Sequence, residues 1–459
     1  MEGSTAGVDT LRGNEKKGII IMAIPMAVAL FMQMLNNIVD SFWVSDLGGN
    51  ALAALGIIYP IYCVQIGIGN GLGVGVSAAI ARSIGEGNRD KANRIAGQGM
   101  LLTVIVAIAV TAILMLTARA SIPLMGGGDM VDLCLEYAYP LYISTFFIFL
   151  SGVMSGMLRG EGAARASMII QVTGALVNIV LDPILIFGFD MGVSGAAWAT
   201  VVAFIVPCII AMYWYLSGTG MYIKSGRQYL SYDRAAQREI LSVGLPEAVE
   251  LSVMNFFNIF LNYYVIYVGG TDALAIYSTS WRVVYMLMIP AQAVGGAMVA
   301  MCSAELGMGR FDMIRRAFAY SIKISIISLL CLSVILAILS DPIAALFTHS
   351  PDMNYMHVPM RNLLLMFAVF LPAFSLVFTG SSLMQALNKA NKAMVNTFAR
   401  NCIVVMAMAI PAYTIGTMDS VWWGLALSEI FGGFMMLAHA CITLKAVSDP
   451  SQCSINQTR

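Results

Sequence analysis

Charged side chains are scarce in this sequence. Asp, Glu, Lys and Arg make up 11% of its 459 residues, while hydrophobic residues make up 59%. Soluble globular domains carry roughly 25% charged residues, so the composition excludes a surface that faces only water and favours a membrane protein. The formal net charge is zero and the basic residues are grouped in short connectors, which is not the pattern of a nucleic-acid-binding protein.

Metal ligands and nucleophiles are scarce too. The chain has three histidines and eight cysteines, and no two cysteines form a CxxC pair. This pattern indicates neither a zinc site nor a disulfide framework, and no nucleophile can be paired with a base. We therefore expect no enzyme activity and no cofactor. The polar residues 1–17 end in Lys16 and Lys17, an order that differs from that of a cleaved signal peptide.

Long apolar runs fill most of the chain. A helix needs roughly 20 mainly apolar residues to cross a bilayer, and lipid offers no partners for the backbone groups of an open sheet. The sequence thus predicts an all-α polytopic membrane protein with twelve transmembrane helices. Their predicted bounds are 18–45, 52–82, 95–118, 133–158, 166–189, 193–216, 240–268, 273–304, 314–340, 355–386, 394–415 and 420–446.

The positions of the basic residues predict the orientation of the chain. Apart from Arg119, Arg282 and Arg361, they fall on one side of the predicted membrane, and this assignment includes Arg400 and Arg459. The connectors of the opposite side carry aspartates. We expect a multi-pass protein of the plasma membrane with both termini in the cytoplasm.

The second half of the sequence repeats the first. "AIPMAV" around Pro25 matches "GLPEAV" around Pro246, and "GEGNRDKANR" from Gly85 aligns without a gap with "GMGRFDMIRR" from Gly307. Two copies of six spans enter the membrane from the same side, so a twofold axis along the membrane normal should relate them, with a cavity between them. The predicted segments are a tail 1–17, a lobe 18–216, a linker 217–239, a lobe 240–446 and a tail 447–459.

Alternating glycines from Gly67 to Gly75 occupy the second predicted span, in "GIGNGLGVGV". No GK[ST] follows them, so they are not a phosphate-binding loop. In a membrane helix they indicate a close approach to a neighbouring helix or a hinge.

Polar residues inside the predicted spans mark a candidate ion site, because each is costly in lipid unless it is paired or solvated. In the first span they recur at i, i+3, i+4 and i+7, which is one helical face: Gln33, Asn36, Asn37 and Asp40. Asn178 and Asp182 share a face of the fifth span, and Thr200 lies in the sixth.

Three of these residues, Asp40, Asp182 and Thr200, are predicted at a similar depth, roughly 9–15 Å below the outer surface at ~1.5 Å per residue. Pro183 has no N–H, so the carbonyl of Ile179 loses its helical partner and can turn toward the same place. Oxygen ligands of this kind suit Na⁺, and two adjacent carboxylates suit H⁺. The alternative is that both aspartates are structural and hydrogen-bond only to each other's helix.

The second half does not repeat this cluster, since Leu261 stands where the repeat matches Asp40. It carries Glu247 and Glu250 in its first span and Arg282 in its second. Glu250 and Arg282 are predicted near the midplane, either as a buried pair or facing the substrate cavity. The candidates for lining that cavity are Gln33, Asn36, Asn37, Glu250, Met254 and Arg282.

Several motifs resemble the multidrug and toxic compound extrusion family over essentially the whole chain. They are "NNIVDSFWVSDLGGNALAALGI", "GEGNRDKANR", "LRGEGAARAS", "NIVLDPILIFGFDMGVSGAAWAT" and "RVVYMLMIP". The resemblance implies two six-helix lobes arranged as a V and drug export driven by entry of Na⁺ or H⁺. For prokaryotic members with this amino-terminal pattern, it also implies a cation site, with Na⁺ as the metal, at Asp40, Asn178, Asp182 and Thr200. Another branch has an acidic residue where this chain has Met254, which favours the amino-lobe site.

Together these features predict an antiporter that exports small, amphipathic, often cationic organic compounds in exchange for Na⁺ or H⁺. We expect a monomer whose partners are these substrates and the lipid bilayer, with no nucleic acid. The alternative is a lipid-linked precursor flippase of the same superfamily. Its cavity would hold a pyrophosphate and would need more basic residues than Arg282.

Overall fold

The computed structural model describes residues 5–218, 220–224, 226–349 and 351–448. All of the regular secondary structure in these ranges is helical. Eleven helices are long and apolar enough to cross a membrane, and one bent pair brings the number up to twelve. The structure therefore confirms the predicted fold class and number of spans.

We number the spans α1 to α12. Their bounds are α1 Glu15–Ser45, α2 Gly49–Gly85, α3 Arg89–Leu124, α4 Val131–Ile143 with Thr145–Gly160, α5 Ala164–Pro183, α6 Gly192–Ser217, α7 234–269, α8 271–287 with Ile289–Gly307, α9 Phe311–Phe347, α10 His357–Phe370 with Phe374–Ala386, α11 Ala390–Thr414 and α12 Met418–Ser448. A short amino-terminal helix, Ala6–Arg12, precedes them.

Helix starts follow local capping chemistry. The Asn14 side chain accepts hydrogen bonds from the N–H groups of Lys16 (3.1 Å) and Lys17 (3.2 Å) at the start of α1. Asn88 does the same for Lys91 (2.9 Å) at the start of α3. These oxygens satisfy N–H groups that have no partner inside the helix, and so they fix where each helix begins.

Spans α4 and α10 are not continuous helices. The two parts of α4 meet at 45° next to Ser144, and α10 is interrupted by Leu371–Ala373. The predicted connector between the seventh and eighth spans is short, since α7 passes into α8 at Gly270, whose φ is +70°. The interruption in α10 contains Pro372, which lacks the N–H that a helix needs. Gly270 adopts a left-handed conformation that other residues avoid.

The chain divides into two compact units. The first contains Met1–Ser252 and Val299–Arg310, and the second contains Val253–Met298 and Phe311–Arg459. The core of the second unit is rich in aromatic rings, and Tyr277 stacks on Trp422 with centroids 5.5 Å apart. The predicted lobes 18–216 and 240–446 stay a prediction. Arg459 and most of the predicted tail 447–459 lie outside the described residues.

The alternating glycines of α2 provide close contact with helices on two sides. A Cβ atom at Gly156 of α4 would lie 2.1 Å from the carbonyl oxygen of Gly73. A Cβ atom at Gly71 would lie 2.5 Å from the carbonyl oxygen of Gly244 in α7. Neither helix can come so near to a larger residue, so the predicted close-contact role is confirmed.

Gly85 and Gly307, which occupy equivalent positions of the internal repeat, both lie at close contacts between helices. A Cβ atom at Gly85, at the end of α2, would lie 2.0 Å from the carbonyl oxygen of Ala304 in α8. A Cβ atom at Gly307, at the end of α8, would lie 2.1 Å from the carbonyl oxygen of Arg82 in α2. The two helix ends thus pack through equivalent positions of the internal repeat.

The linker between the sequence halves is bound to the first unit. Glu161, in the turn after α4, accepts hydrogen bonds from the Tyr215 hydroxyl (2.9 Å) and from the N–H groups of Tyr222 (2.9 Å) and Ile223 (3.2 Å). Arg89 donates to the carbonyl of Tyr222 at 2.7 and 3.0 Å. These contacts attach the described residues around Tyr222 to the first unit.

Arg400 lies in α11, within the predicted span 394–415. It is 2% exposed and forms an ion pair with Glu429 of α12. Gly432 provides the space, because a Cβ atom there would lie 2.4 Å from the Cγ of Arg400. A buried partner makes a cation tolerable inside a span, and the sequence analysis had not identified Glu429.

Candidate cation site

The predicted polar face of α1 turns partly inward. This helix packs along α5. Asn36 and Asp40, one turn apart, are half-buried, whereas Gln33 and Asn37 are exposed. The four residues share a face in sequence, but only the pair at i and i+4 directs buried oxygen atoms into the packed region.

Asn178 and Asp182 meet this pair from α5. They are 2% and 0% exposed, and the Asn178 amide donates to an Asp182 carboxylate oxygen at 3.2 Å. The carboxyl groups of Asp182 and Asp40 lie within hydrogen-bonding reach of each other. The structure thus brings together Asp40, Asn178 and Asp182.

Four oxygen atoms of this cluster are buried without a hydrogen-bond donor. They are Oδ1 of Asn36, Oδ1 of Asp40, Oδ1 of Asn178 and Oδ2 of Asp182. Buried acceptors are almost always satisfied in native proteins. A proton or a hard cation bound among them would satisfy these oxygens, so the residues present fit either one.

The backbone beside the cluster is irregular. Past Pro183, residues Ile184–Gly188 form a wide helical turn in which the N–H of Phe189 donates to the carbonyl of Ile184 at 2.9 Å. This turn carries Phe187, whose ring packs edge-on against Trp43 with centroids 6.2 Å apart. Trp43 follows Asp40 by three residues and Phe187 follows Asp182 by five, so this contact joins the two segments next to the aspartates.

The hydroxyl group of Thr200 forms a hydrogen bond within its own helix. That group donates to the carbonyl of Ala196 within α6 at 3.1 Å. Its oxygen retains lone pairs, so its role as a cation ligand stays a prediction.

Two tyrosines near the cluster were missed by sequence reasoning. Tyr62 of α2 and Tyr137 of α4 lie close enough to Asp40 to interact electrostatically with its carboxyl group, and Tyr137 also interacts with Asp182. Both stand in apolar runs rich in aromatic residues, so no local pattern separates them from packing residues. Only helix packing reveals them.

The polar residues of the second half are more dispersed. Glu247 and Glu250 interact electrostatically on α7, and Glu250 is buried. Arg282 is exposed on α8 and falls in the second unit, whereas Glu250 falls in the first. Met254 is half-buried. Their roles beside a substrate stay predictions.

The chemistry available at the cluster is reversible binding of positive charge. Two ionised carboxylates this close in a region of low dielectric constant repel strongly, and a proton or a cation shared between them would remove this repulsion. Among the residues that the structure describes, no group of three or more His, Cys, Asp or Glu side chains could hold a metal ion. With only two carboxylates, the donor set suits a weakly held monovalent cation.

The chain is similar to known proteins over most of its length. The family model MatE matches residues 25–184 and 246–410. The multidrug export protein MepA of Staphylococcus aureus strain MSSA476 is 23% identical over 420 residues, which cover 90% of each chain. A structure described as "Crystal structure of MATE in complex with MaL6" has a TM-score of 0.94 and 30% identity, and the match covers 97% of this chain and 99% of that one. A MOP superfamily transporter from Pyrococcus furiosus, described as having a binding pocket of reverse polarity, has a TM-score of 0.93 and 30% identity, with 98% and 100% covered.

Proposed function

Since the chain belongs to the MatE family, the multidrug and toxic compound extrusion family, it is a multi-pass membrane transporter and not an enzyme, and we propose that it exports small organic compounds in exchange for Na⁺ or H⁺. The observation that carries this proposal is the set of buried, donorless oxygens on Asp40, Asn178 and Asp182. Such atoms are costly in a membrane protein unless they bind something.

Coupling follows from the position of the site between two helices. Asp40 is on α1 and Asp182 on α5, so a bound cation neutralises their repulsion and draws the helices together. Its release lets α1 move away from α5. Antiport requires that cation and substrate favour different conformations, and a movable α1 provides two.

The substrates are amphipathic organic compounds, often cationic. Several relatives are named multidrug export proteins. The half-buried Met254 and the exposed Asn37 are polarizable and polar groups of the kind that accommodate varied ligands. The chain works as a monomer in the cell membrane, with both termini in the cytoplasm and without nucleic-acid partners.

A lipid-linked precursor flippase is the second candidate. One relative is described as having a pocket of reverse polarity that suggests a different function. In this chain the exposed Arg282 would bind a pyrophosphate group. One arginine compensates little of that charge, so drug antiport is the better supported function.

Efflux from proteoliposomes tests the proposal. A fluorescent organic cation is loaded, and an inward Na⁺ gradient and an inward H⁺ gradient are imposed separately. Acceleration by either gradient supports antiport and identifies the ion. Equal rates with and without both gradients contradict it, and movement of a lipid pyrophosphate instead favours the second candidate.

A further inference from the structure

The bend in α4 is surrounded by side chains that satisfy its backbone. The carbonyl of Leu141 accepts a hydrogen bond from the Ser144 hydroxyl at 2.8 Å. The carbonyl of Tyr142 accepts one from the Thr145 hydroxyl at 2.6 Å. Inserted side chains of this kind accompany sharp bends in helices, and here they come from the residues at the bend itself.

Gln65 of α2 joins this bend to a second helix. Its amide nitrogen donates to the Thr145 hydroxyl oxygen at 2.7 Å and to the Leu141 carbonyl at 3.4 Å. A carbonyl can only accept, and the Thr145 hydroxyl already donates its proton to Tyr142, so both partners of Gln65 need a donor. A third helix contributes as well, because Thr111 of α3 donates to the Tyr142 carbonyl at 3.2 Å.

The two helices that meet at Gln65 also carry the tyrosines of the candidate cation site. Tyr62 precedes Gln65 by three residues on α2, and Tyr137 precedes Leu141 by four on α4. These spacings place each pair on one face of its helix. Both tyrosines interact electrostatically with Asp40. The first part of α4 therefore connects the bend to the site, and all of these residues belong to the first unit.

Stability alone does not explain a glutamine at this position. The side chain of Gln65 is 1% exposed, and its Oε1 atom has no hydrogen-bond partner among the described residues. A buried acceptor without a donor is destabilising, and leucine would fill a similar space without one. Gln98 of α3 differs, because its buried amide donates to the Ser231 carbonyl at 2.7 Å and accepts from the Asp233 N–H at 3.1 Å.

We propose that Gln65 is a positioning residue for ion coupling, which holds the bend of α4 and so keeps Tyr137 beside the two aspartates. This inference rests on the proposed function, because it concerns the same cation site. Without the Gln65 amide, the first part of α4 can turn about Ser144 and carry Tyr137 away from Asp40. A tyrosine hydroxyl donates to a carboxylate or offers its oxygen to a cation, so its distance from the aspartates changes how tightly the cation is held.

Two measurements on the full-length protein in proteoliposomes test the proposal. Hydrogen exchange followed by mass spectrometry reports the mobility of residues 131–143, and efflux at increasing concentrations of the driving ion reports coupling. The test variant is Gln65→Leu. The control Gln98→Leu removes another buried amide of the first unit, and Thr145→Ser keeps the hydroxyl that Gln65 contacts.

In Gln65→Leu we expect exchange in residues 131–143 to become about fivefold faster, which corresponds to the loss of one buried hydrogen bond. The ion concentration for half-maximal efflux should rise by a similar factor, while the rate at saturating ion and the unfolding midpoint stay at wild-type values. Gln98→Leu should lower the unfolding midpoint and leave the ion dependence unchanged. Thr145→Ser should behave like the wild type in both measurements.

Unchanged exchange or an unchanged ion dependence in Gln65→Leu would overturn the proposal. An equal shift of the ion dependence in Gln98→Leu would also overturn it, since the cause would then be a general loss of stability. Wild-type efflux that responds to neither an Na⁺ nor an H⁺ gradient would instead refute the proposed function. The exchange rates would then still decide whether Gln65 holds the bend.

Discussion

At the scale of single residues, Glu161 is a buried carboxylate whose surroundings have opposite effects on the pKa of its carboxyl group. Burial raises the pKa of its carboxyl group from the usual 4.5 to about 7, although hydrogen bonds from Tyr215, Ile223 and Tyr222 and the charge of Arg89 oppose this. Protonation on the oxygen nearest Tyr215 keeps both backbone hydrogen bonds, since these reach the other oxygen. The linker can therefore stay bound in either protonation state.

The raised pKa of Glu161 predicts a pH dependence of stability. The folded protein binds this proton more tightly than the unfolded chain, so stability is highest below pH 4.5 and falls as the pH rises to about 7. In Glu161→Gln, whose side chain imitates the protonated carboxyl group, the thermal unfolding midpoint should vary less with pH across this range.

Asp233 offers the contrasting control. Backbone hydrogen bonding from Ala236 is the main cause that lowers the pKa of its carboxyl group. The contribution of Asp233 to stability is therefore present throughout this pH range and is lost only as the pH falls through that lowered pKa. Asp233→Asn should lower all midpoints without changing their slope. An unchanged slope in Glu161→Gln would contradict the assignment.

The ion pair of Arg400 and Glu429 predicts a strong dependence of stability on both partners. Arg400→Met leaves Glu429 buried without its counterion and should lower the free energy of unfolding by about 3–5 kcal/mol. The double variant Arg400→Met/Glu429→Leu should recover most of this loss. Thermal unfolding of the detergent-solubilised protein measures both, and a double variant as unstable as the single one would show that the pair itself stabilises the fold.

Sequence patterns revealed the candidate site residues and concealed the buried ion pair for a physical reason. Asp40 follows Asn36 at i+4, and Asp182 follows Asn178 at i+4, so each pair forms a recognisable polar face in an apolar span. Arg400 and Glu429 pair across two helices. Their contact depends on packing that no single-helix pattern records.

At the scale of helices, glycine contacts determine how closely neighbours pack. Gly156→Ala in α4 would place a methyl group 2.1 Å from the Gly73 carbonyl oxygen, which forces the backbones apart at a cost of about 1–3 kcal/mol. Gly56→Ala in α2 is the matched control, because no atom lies within 4 Å of its Cβ position. Unfolding midpoints should fall for the first variant and not for the second, and equal midpoints would contradict the packing.

Helix bounds were easier to predict than helix breaks. The length of an apolar run predicts where a span lies, because the thickness of the bilayer sets how many apolar residues a span needs. The break in α4 at Ser144 has neither a proline nor a glycine at that position and was not predicted. The interruption in α10 contains Pro372 and the irregular turn follows Pro183, so both have a local signal in the sequence.

At the scale of the whole molecule, the distribution of charge predicts sidedness. In a cysteine-free background, Asp129→Cys should react with a membrane-impermeant maleimide added to intact cells, whereas Asn391→Cys should react only after permeabilisation. Both positions are exposed, so access to the reagent reports only the side. The reverse labelling pattern would show that the termini are not cytoplasmic.

The two sequence halves share an architecture but differ in chemistry. Gly85 and Gly307 occupy equivalent helix ends, yet only the first half places two adjacent carboxylates between α1 and α5. Leu261 stands at the position equivalent to Asp40. We therefore predict that ion coupling depends on the first half.

The most direct test of this claim is gradient-driven efflux by Asp40→Asn and Asp182→Asn in proteoliposomes, with Asp46→Asn as a control for an exposed aspartate outside the site. The account predicts that both site variants still bind substrate but export it no faster with an ion gradient than without one, while the control responds like the wild type. Site variants that respond to the gradient at the wild-type rate would contradict it.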